Sequence, residues 1–123
     1  MKRIEVANSA DVRENKILVA RVDDLLLILT RVDGRAYAVE NKCAHLGWSM
    51  ARGSITGSTL RCPWHGSRFD VCSGKNVDWV NAFAGVPMPR WAQGLMALGK
   101  EPGPIRTFET WEESGRVFVS VPD

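Results

Sequence analysis

The stretch CAHLGWSMARGSITGSTLRCPWHG, residues 43–66, decides how this chain is read. It opens on Cys43-Ala44-His45 and closes on Cys62-Pro63-Trp64-His65-Gly66, with 16 residues between His45 and Cys62. Each cluster pairs one soft thiolate with one imidazole, and Gly47 and Gly66 allow tight turns close behind. Between the clusters, Ser54-Ile55-Thr56 and Thr59-Leu60-Arg61 flank Gly57-Ser58. That reads as a small hairpin, which would set the two loops side by side. Cys43, His45, Cys62 and His65 then converge on one point, a donor set that suits tetrahedral zinc or a two-iron, two-sulfide cluster. Isolated cysteines are often simply buried and isolated histidines simply hydrogen-bonded. Packing does not account for four ligand-type residues in two matched loops. Zinc modules commonly keep like ligands adjacent, as C-x2–4-C and H-x3–5-H. Here each loop supplies unlike ligands, so each iron of a two-iron cluster could take a like pair, one residue from each loop.

Outward from this stretch the chain reads as short strands broken by turn chemistry. Ile17 to Val22 and Leu25 to Val32 are rich in β-branched and aliphatic residues, and Asp23-Asp24 can turn between them. Asp33-Gly34 is a strong hairpin signal because both positions tolerate positive φ, and Arg35 to Glu40 follows as the next strand. Ile105 to Trp111 and Arg116 to Val121 pair across Ser114-Gly115. The expectation is an all-β fold, an antiparallel sandwich or barrel. Residues 78–102 break this pattern. Pro89 suits a first helical turn, Gly99 a stop, and Trp91, Leu95 and Leu98 would share one face. A loop–helix segment packed against the β core is expected there, part of it meeting a partner.

At 123 residues the chain fits one domain, 1–123, able to bury a core without disulfide staples. Three cysteines, an odd number, argue against a closed disulfide framework. The 16 basic and 14 acidic residues leave a net charge of +2, too weak a balance to argue for nucleic acid. No apolar stretch near the N-terminus is long enough for a signal peptide, and the longest aliphatic run, Leu25 to Leu29, is far short of a membrane span. A cytoplasmic protein with no membrane anchor is expected, its cysteines reduced or metal-bound.

CAHLG at 43–47 and CPWHGSRFD at 62–70, followed by Ser73-Gly74-Lys75, resemble the cluster-binding loops of Rieske [2Fe–2S] proteins. The likeness runs on from about Ala7 to Glu40 and resumes at Gly103-Pro104, so it covers most of the chain. It implies a Rieske-like β fold with a cluster-binding part at about 41–77 and an insertion at about 78–102. It further implies one cluster per chain, with Cys43 and Cys62 on the inner iron and His45 and His65 on the outer one. Around it, Leu46, Gly47, Trp48, Pro63, Trp64, Gly66, Ser67 and Phe69 would form the surrounding shell. Leu46, Trp48, Pro63 and Trp64 would shield the cluster from water, and an apolar tip of this kind can also dock a partner.

The membrane-complex members of that family carry a second cysteine in each loop and join the two in a disulfide. Trp48 and Trp64 occupy those positions here, so the resemblance is to the soluble, disulfide-free ferredoxin group. Ser67 matches a serine that donates to a cluster sulfide in the high-potential members, whereas Phe69 stands where they have tyrosine. Fewer donors mean less stabilisation of the reduced state, and a potential in the lower part of the range, roughly −150 to 0 mV, is expected. No histidine remains to build a second iron site, so the chain is not a complete oxygenase. The resemblance implies a one-electron carrier, not an enzyme, between a flavin-dependent reductase and a terminal oxygenase or other oxidoreductase. A cluster-bearing small subunit, or a redox-sensing module, of a larger complex is the alternative. Cys72 falls outside the ligand pattern and reads as a plain thiol; Arg68 and Lys75 read as ordinary surface charge.

Overall fold

The computed structural model describes residues 2–42, 49–63, 67–78, 82–83, 86–87 and 104–122. A strand β1 (Lys2–Asn8) runs through a single 3-10 turn into β2 (Leu18–Val22), β3 (Leu25–Val32) and β4 (Arg35–Glu40). Four short strands follow, β5 (Ser54–Thr56), β6 (Thr59–Arg61), β7 (Arg68–Asp70) and β8 (Asn76–Asp78). A two-residue ladder joins β9 (Ala82–Phe83) to β10 (Val86–Pro87), and β11 (Thr107–Phe108), β12 (Thr110–Glu113) and β13 (Arg116–Val121) complete the set. Every strand pair is antiparallel, and the three larger sheets have the orders β1-β13-β12, β11-β4-β3-β2 and β5-β6-β7-β8.

The β11-β4-β3-β2 sheet is covered on both faces. Side chains alternate along a strand, so Leu27, Leu29, Ala36 and Ala38 face one core with Phe108, Val117, Val119 and Val121. Ile28, Val32 and Val39 face the other, with Met50, Ile55, Leu60, Cys62, Phe69, Val71 and Ile105. Burial on both faces explains why Leu25–Val32 is nearly continuous in apolar residues instead of alternating. The hairpin after it follows the expected chemistry: Asp33 has φ 51° and Gly34 φ 82°. Both backbone amides donate to the Glu14 carboxylate, at 2.8 and 3.1 Å.

Arg31 is the one charged side chain that β3 sends towards the first core. It is satisfied there by the Val12, Gly34 and Ser9 carbonyls, and it forks onto Glu112 at 2.7 and 3.0 Å. This ties β3 to β12 and to the turn after β1.

Three features depart from the sequence reading. β1, which the alternation of Ile4 and Val6 only hints at, pairs with β13 along most of its length. The expected strand from Ile105 to Trp111 is divided: Thr107 and Phe108 pair with Val39 and Ala38, while Thr110 to Glu113 pair with β13. The chain changes sheets at Glu109, where Phe108 is buried in the first core and Thr110, also buried, donates its hydroxyl to the Ala36 carbonyl. Within the inserted stretch the described residues form the β9–β10 ladder; the helix expected between Pro89 and Gly99 lies outside the described residues.

The Arg31 guanidinium holds the Glu112 carboxyl below its ordinary value of 4.5, chiefly through their hydrogen bonds. A carboxyl depressed on folding stabilises fully above its unfolded pKa and loses that contribution as pH falls through the folded one. Glu112→Gln is therefore expected to cost about 1–2 kcal/mol at pH 7, the pair being partly solvated. The gap between the two proteins should close as pH falls below the ordinary carboxylate value, read from denaturation midpoints at pH 7 and near pH 4.

Candidate metal centre

The β5-β6-β7-β8 sheet carries the second of the two expected ligand loops between β6 and β7. Leu60 on β6 faces Phe69 on β7, and both are fully buried. Strand alternation then turns Cys62 and Ser67 inward with them, 1% and 0% exposed, and turns Arg61 and Arg68 outward. The Cys62 amide donates to the Ser67 carbonyl at 2.7 Å and closes the base of the loop between them. Pro63, the first residue of the loop, is half-buried.

The other ligand loop is fastened by a side chain. Asn41 follows β4 and is buried; its amide group donates to Ser49 Oγ at 3.0 Å, and its Oδ1 accepts from the Met50 amide at 2.6 Å. The Asn41 amide in turn donates to Leu26 O at 2.8 Å, which anchors the fastening to β3. Just beyond, the Gly53 amide donates to Met50 O at 2.9 Å, and a Cβ at Gly53 would collide with the Arg61 carbonyl oxygen. Glycine is required by that close approach, which presses the end of the first loop against the start of the second. Asn41, Ser49 and Gly53 were not legible as site residues: nothing in the sequence says that the asparagine is buried.

Of the four expected ligands, Cys62 is placed, at the inner edge of the second core. Cys43, His45 and His65 lie outside the described residues, as do Leu46, Gly47, Trp48, Trp64 and Gly66. Ser67 and Phe69 are both fully buried. The Ser67 hydroxyl has no hydrogen-bond partner among the described residues. Leaving a buried hydroxyl unpaired costs about 1–3 kcal/mol, so this one calls for an acceptor beside the loop. A sulfur of a cluster held by Cys62 is such an acceptor, and the residues present fit an iron–sulfur group. Thr30 Oγ1, mid-strand in β3, is also unpaired among the described residues.

Cys72 is exposed and stands on the turn after β7, whose Asp70 carboxylate accepts from the Cys72 and Ser73 amides at 2.7 and 3.3 Å. Partial burial pushes its thiol up; the Tyr37 hydroxyl opposes this and the Asp70 charge adds to it. A thiol so placed stays protonated at neutral pH and is a poor nucleophile.

The chain matches the Rieske [2Fe-2S] domain family over residues 2–89 and belongs to it. It is 39% identical over 75 residues to the ferredoxin component of the naphthalene 1,2-dioxygenase system of Pseudomonas putida, covering 61% of this chain and 72% of that one. It is 35% identical over 118 residues to ferredoxin CarAc of Metapseudomonas resinovorans, covering 95% and 92%. A chain in the solved complex of reduced oxygenase and oxidized ferredoxin in carbazole 1,9a-dioxygenase matches with a TM-score of 0.72 at 25% identity, over 95% of this chain and 100% of that one. The ferredoxin of Sphingomonas yanoikuyae B1 shares the fold with a TM-score of 0.74 at 20% identity, over 98% and 100%. The cofactor is therefore a Rieske [2Fe–2S] cluster, and the zinc alternative falls away. The protein is an electron carrier, not a catalyst.

Asn41→Ala would strip the Met50 amide of its acceptor, at a cost of about 1–3 kcal/mol, and would loosen the base of the first loop. The visible absorption of the cluster should then bleach several-fold faster in the presence of an iron chelator. An unchanged half-life would show that Asn41 does not hold the loop.

Proposed function

We propose that this chain is the ferredoxin component of a multicomponent oxygenase system. It takes single electrons from a flavin-dependent reductase and delivers them to a terminal oxygenase, in the cytoplasm. The whole chain, 1–123, acts as one Rieske domain, with Cys43 and Cys62 holding the inner iron and His45 and His65 the outer one. The observation that carries the reading is the buried pair Cys62 and Ser67, whose hydroxyl lacks an acceptor among the described residues. When bound, the cluster supplies reversible one-electron chemistry with no open coordination position for a substrate.

The protein's own part is to hold and tune. Cys62 offers a thiolate from within a core, with water excluded by Leu60, Phe69 and Ile105 in the same apolar cluster. The Ser67 hydroxyl would donate to a sulfur of the bound cluster and so favour the more negative, reduced state. Phe69 presents a ring with no donor, so the reduced state receives no second hydroxyl.

Dithionite-reduced protein should give the electron paramagnetic resonance signal of a histidine-ligated two-iron cluster, and Cys62→Ser should lose both signal and colour. A colourless, zinc-loaded protein would overturn the reading. A redox titration is expected to fall at roughly −150 to 0 mV, and a value well above +100 mV would contradict the low-potential assignment.

Ser67→Ala should keep the spectrum yet lower the potential by roughly 50–100 mV, the electrochemical equivalent of one lost charge-assisted hydrogen bond. An unshifted potential would mean that the hydroxyl does not reach the cluster.

A further inference from the structure

The peptide unit between Arg61 and Cys62 is gripped from two sides. Its N–H donates to the Ser67 carbonyl at 2.7 Å, and its C=O lies against Gly53. Ile55 pairs with Leu60 and Ser54 with Arg61, so the next residue back, Gly53, is level with Cys62. A Cβ on Gly53 would collide with the Arg61 carbonyl oxygen and stand 3.2 Å from the carbonyl carbon. Both are backbone atoms, which cannot swing clear as the end of a flexible side chain would.

Gly53 has no room to withdraw. Its amide donates to Met50 O at 2.9 Å, and a Cβ would also meet that oxygen, at 3.0 Å. Met50 is held in turn: its side chain is fully buried in the second core, and its amide donates to Asn41 Oδ1 at 2.6 Å. The tight turn 50–53 therefore bounds the Arg61–Cys62 peptide on one side, and Ser67 bounds it on the other.

A peptide unit is planar and rigid. Pushing its carbonyl aside turns its N–H as well, away from Ser67 O. Cys62 and Ser67, joined by that hydrogen bond, supply the buried thiolate and the buried hydroxyl that lacks a partner among the described residues. Gly57, in the same hairpin, behaves differently. It has φ 61° and nothing within 4 Å of a Cβ, so glycine there serves only the turn.

We propose that Gly53 is a positioning residue for the cluster: by leaving room for the Arg61 carbonyl it fixes the Arg61–Cys62 peptide, and through it Cys62 and the Ser67 hydroxyl. The inference rests on the electron-carrier reading and adds a residue with no side chain of its own to offer the cluster. A side chain at position 53 turns the peptide, weakens the link from Cys62 to Ser67 and draws the hydroxyl off its acceptor. The reduced state then loses a donor, so the reduction potential falls.

The test compares the reduction potentials of the holoprotein, Gly53→Ala, Ser67→Ala and the double variant. G53A should lower the potential by at least about half of the shift that S67A produces. Added to S67A, it should retain less than about half of its own shift, because the hydroxyl it acts through is gone. Gly57→Ala is the control for lost stability: it strains the turn and lowers the thermal midpoint, yet should leave the potential and the resonance spectrum unchanged. Hydrogen exchange followed by mass spectrometry gives a readout that needs no cluster. The Cys62 amide should exchange at least about tenfold faster in G53A than in the wild type or G57A. If G53A does not fold, Asn41→Ala frees the Met50 end of the turn without adding atoms. It should then lower the potential in the wild-type background and far less in the S67A background.

A folded G53A with the wild-type potential, a shift fully kept alongside S67A, or an equal shift in G57A would overturn the proposal. Unaccelerated exchange at Cys62 would overturn the route through the peptide. If S67A leaves the potential unmoved, the hydroxyl's part falls, while faster exchange in G53A would still support Gly53 as what fixes the peptide. Absence of a reducible cluster would overturn the carrier reading alone, since exchange at Cys62 would still report on Gly53.

Discussion

Strand β3 lies between two cores, and the rest of the molecule depends on both being filled. Leu27 and Leu29 reach towards β13, while Ile28 and Val32 reach towards the four short strands that carry the second ligand loop. Each fully buried aliphatic side chain is worth about 1.5–3 kcal/mol, so neither layer can leave without exposing much of the other's cover. Strands of three residues would not persist alone. Ile55, Leu60 and Phe69 hold β5, β6 and β7 against β3 and β4, and that contact makes a stable platform out of marginal elements.

On this platform one alternation does two things. The inward positions of β6 and β7 run on to Cys62 and Ser67, beside Leu60 and Phe69, whereas the outward positions are Arg61 and Arg68. Cys62 and the Ser67 hydroxyl are buried by the same pleat that turns the arginines outward. The loop bases are then tied by short polar links, the Cys62 amide to Ser67 O and the Asn41 side chain to Ser49 and Met50. A carrier gains from such restraint, because ligands held in place need little rearrangement when the charge on the group they hold changes.

Much of this was open to inspection in the chain itself. Leu25–Val32, Arg35–Glu40 and the hairpin from Ser54 to Arg61 were legible because apolar runs and Asp-Gly or Gly-Ser turns are local signals. The pairing of β1 with β13 was not, because it joins residues more than a hundred positions apart, and Lys2–Asn8 buries no side chain completely. Nor was the change of sheet at Glu109 legible, since Ile105–Trp111 looks like one uninterrupted strand. Asn41 was missed for a related reason: an asparagine after a strand reads as a turn, and only burial beside Ser49 and Met50 makes it a clasp.

The sequence by itself determined the chemistry. Two cysteines and both histidines in two matched motifs are the donor types that suit zinc or a two-iron, two-sulfide cluster, because residue identity and spacing are properties of the chain. Only the tertiary structure decided what surrounds that chemistry. It put the Ser67 hydroxyl where it lacks a partner among the described residues, tied the first loop through Asn41, and set Arg61 against Arg68 on one open face. Burial and register arise between segments distant in sequence, and they come into being only when the layers close on one another.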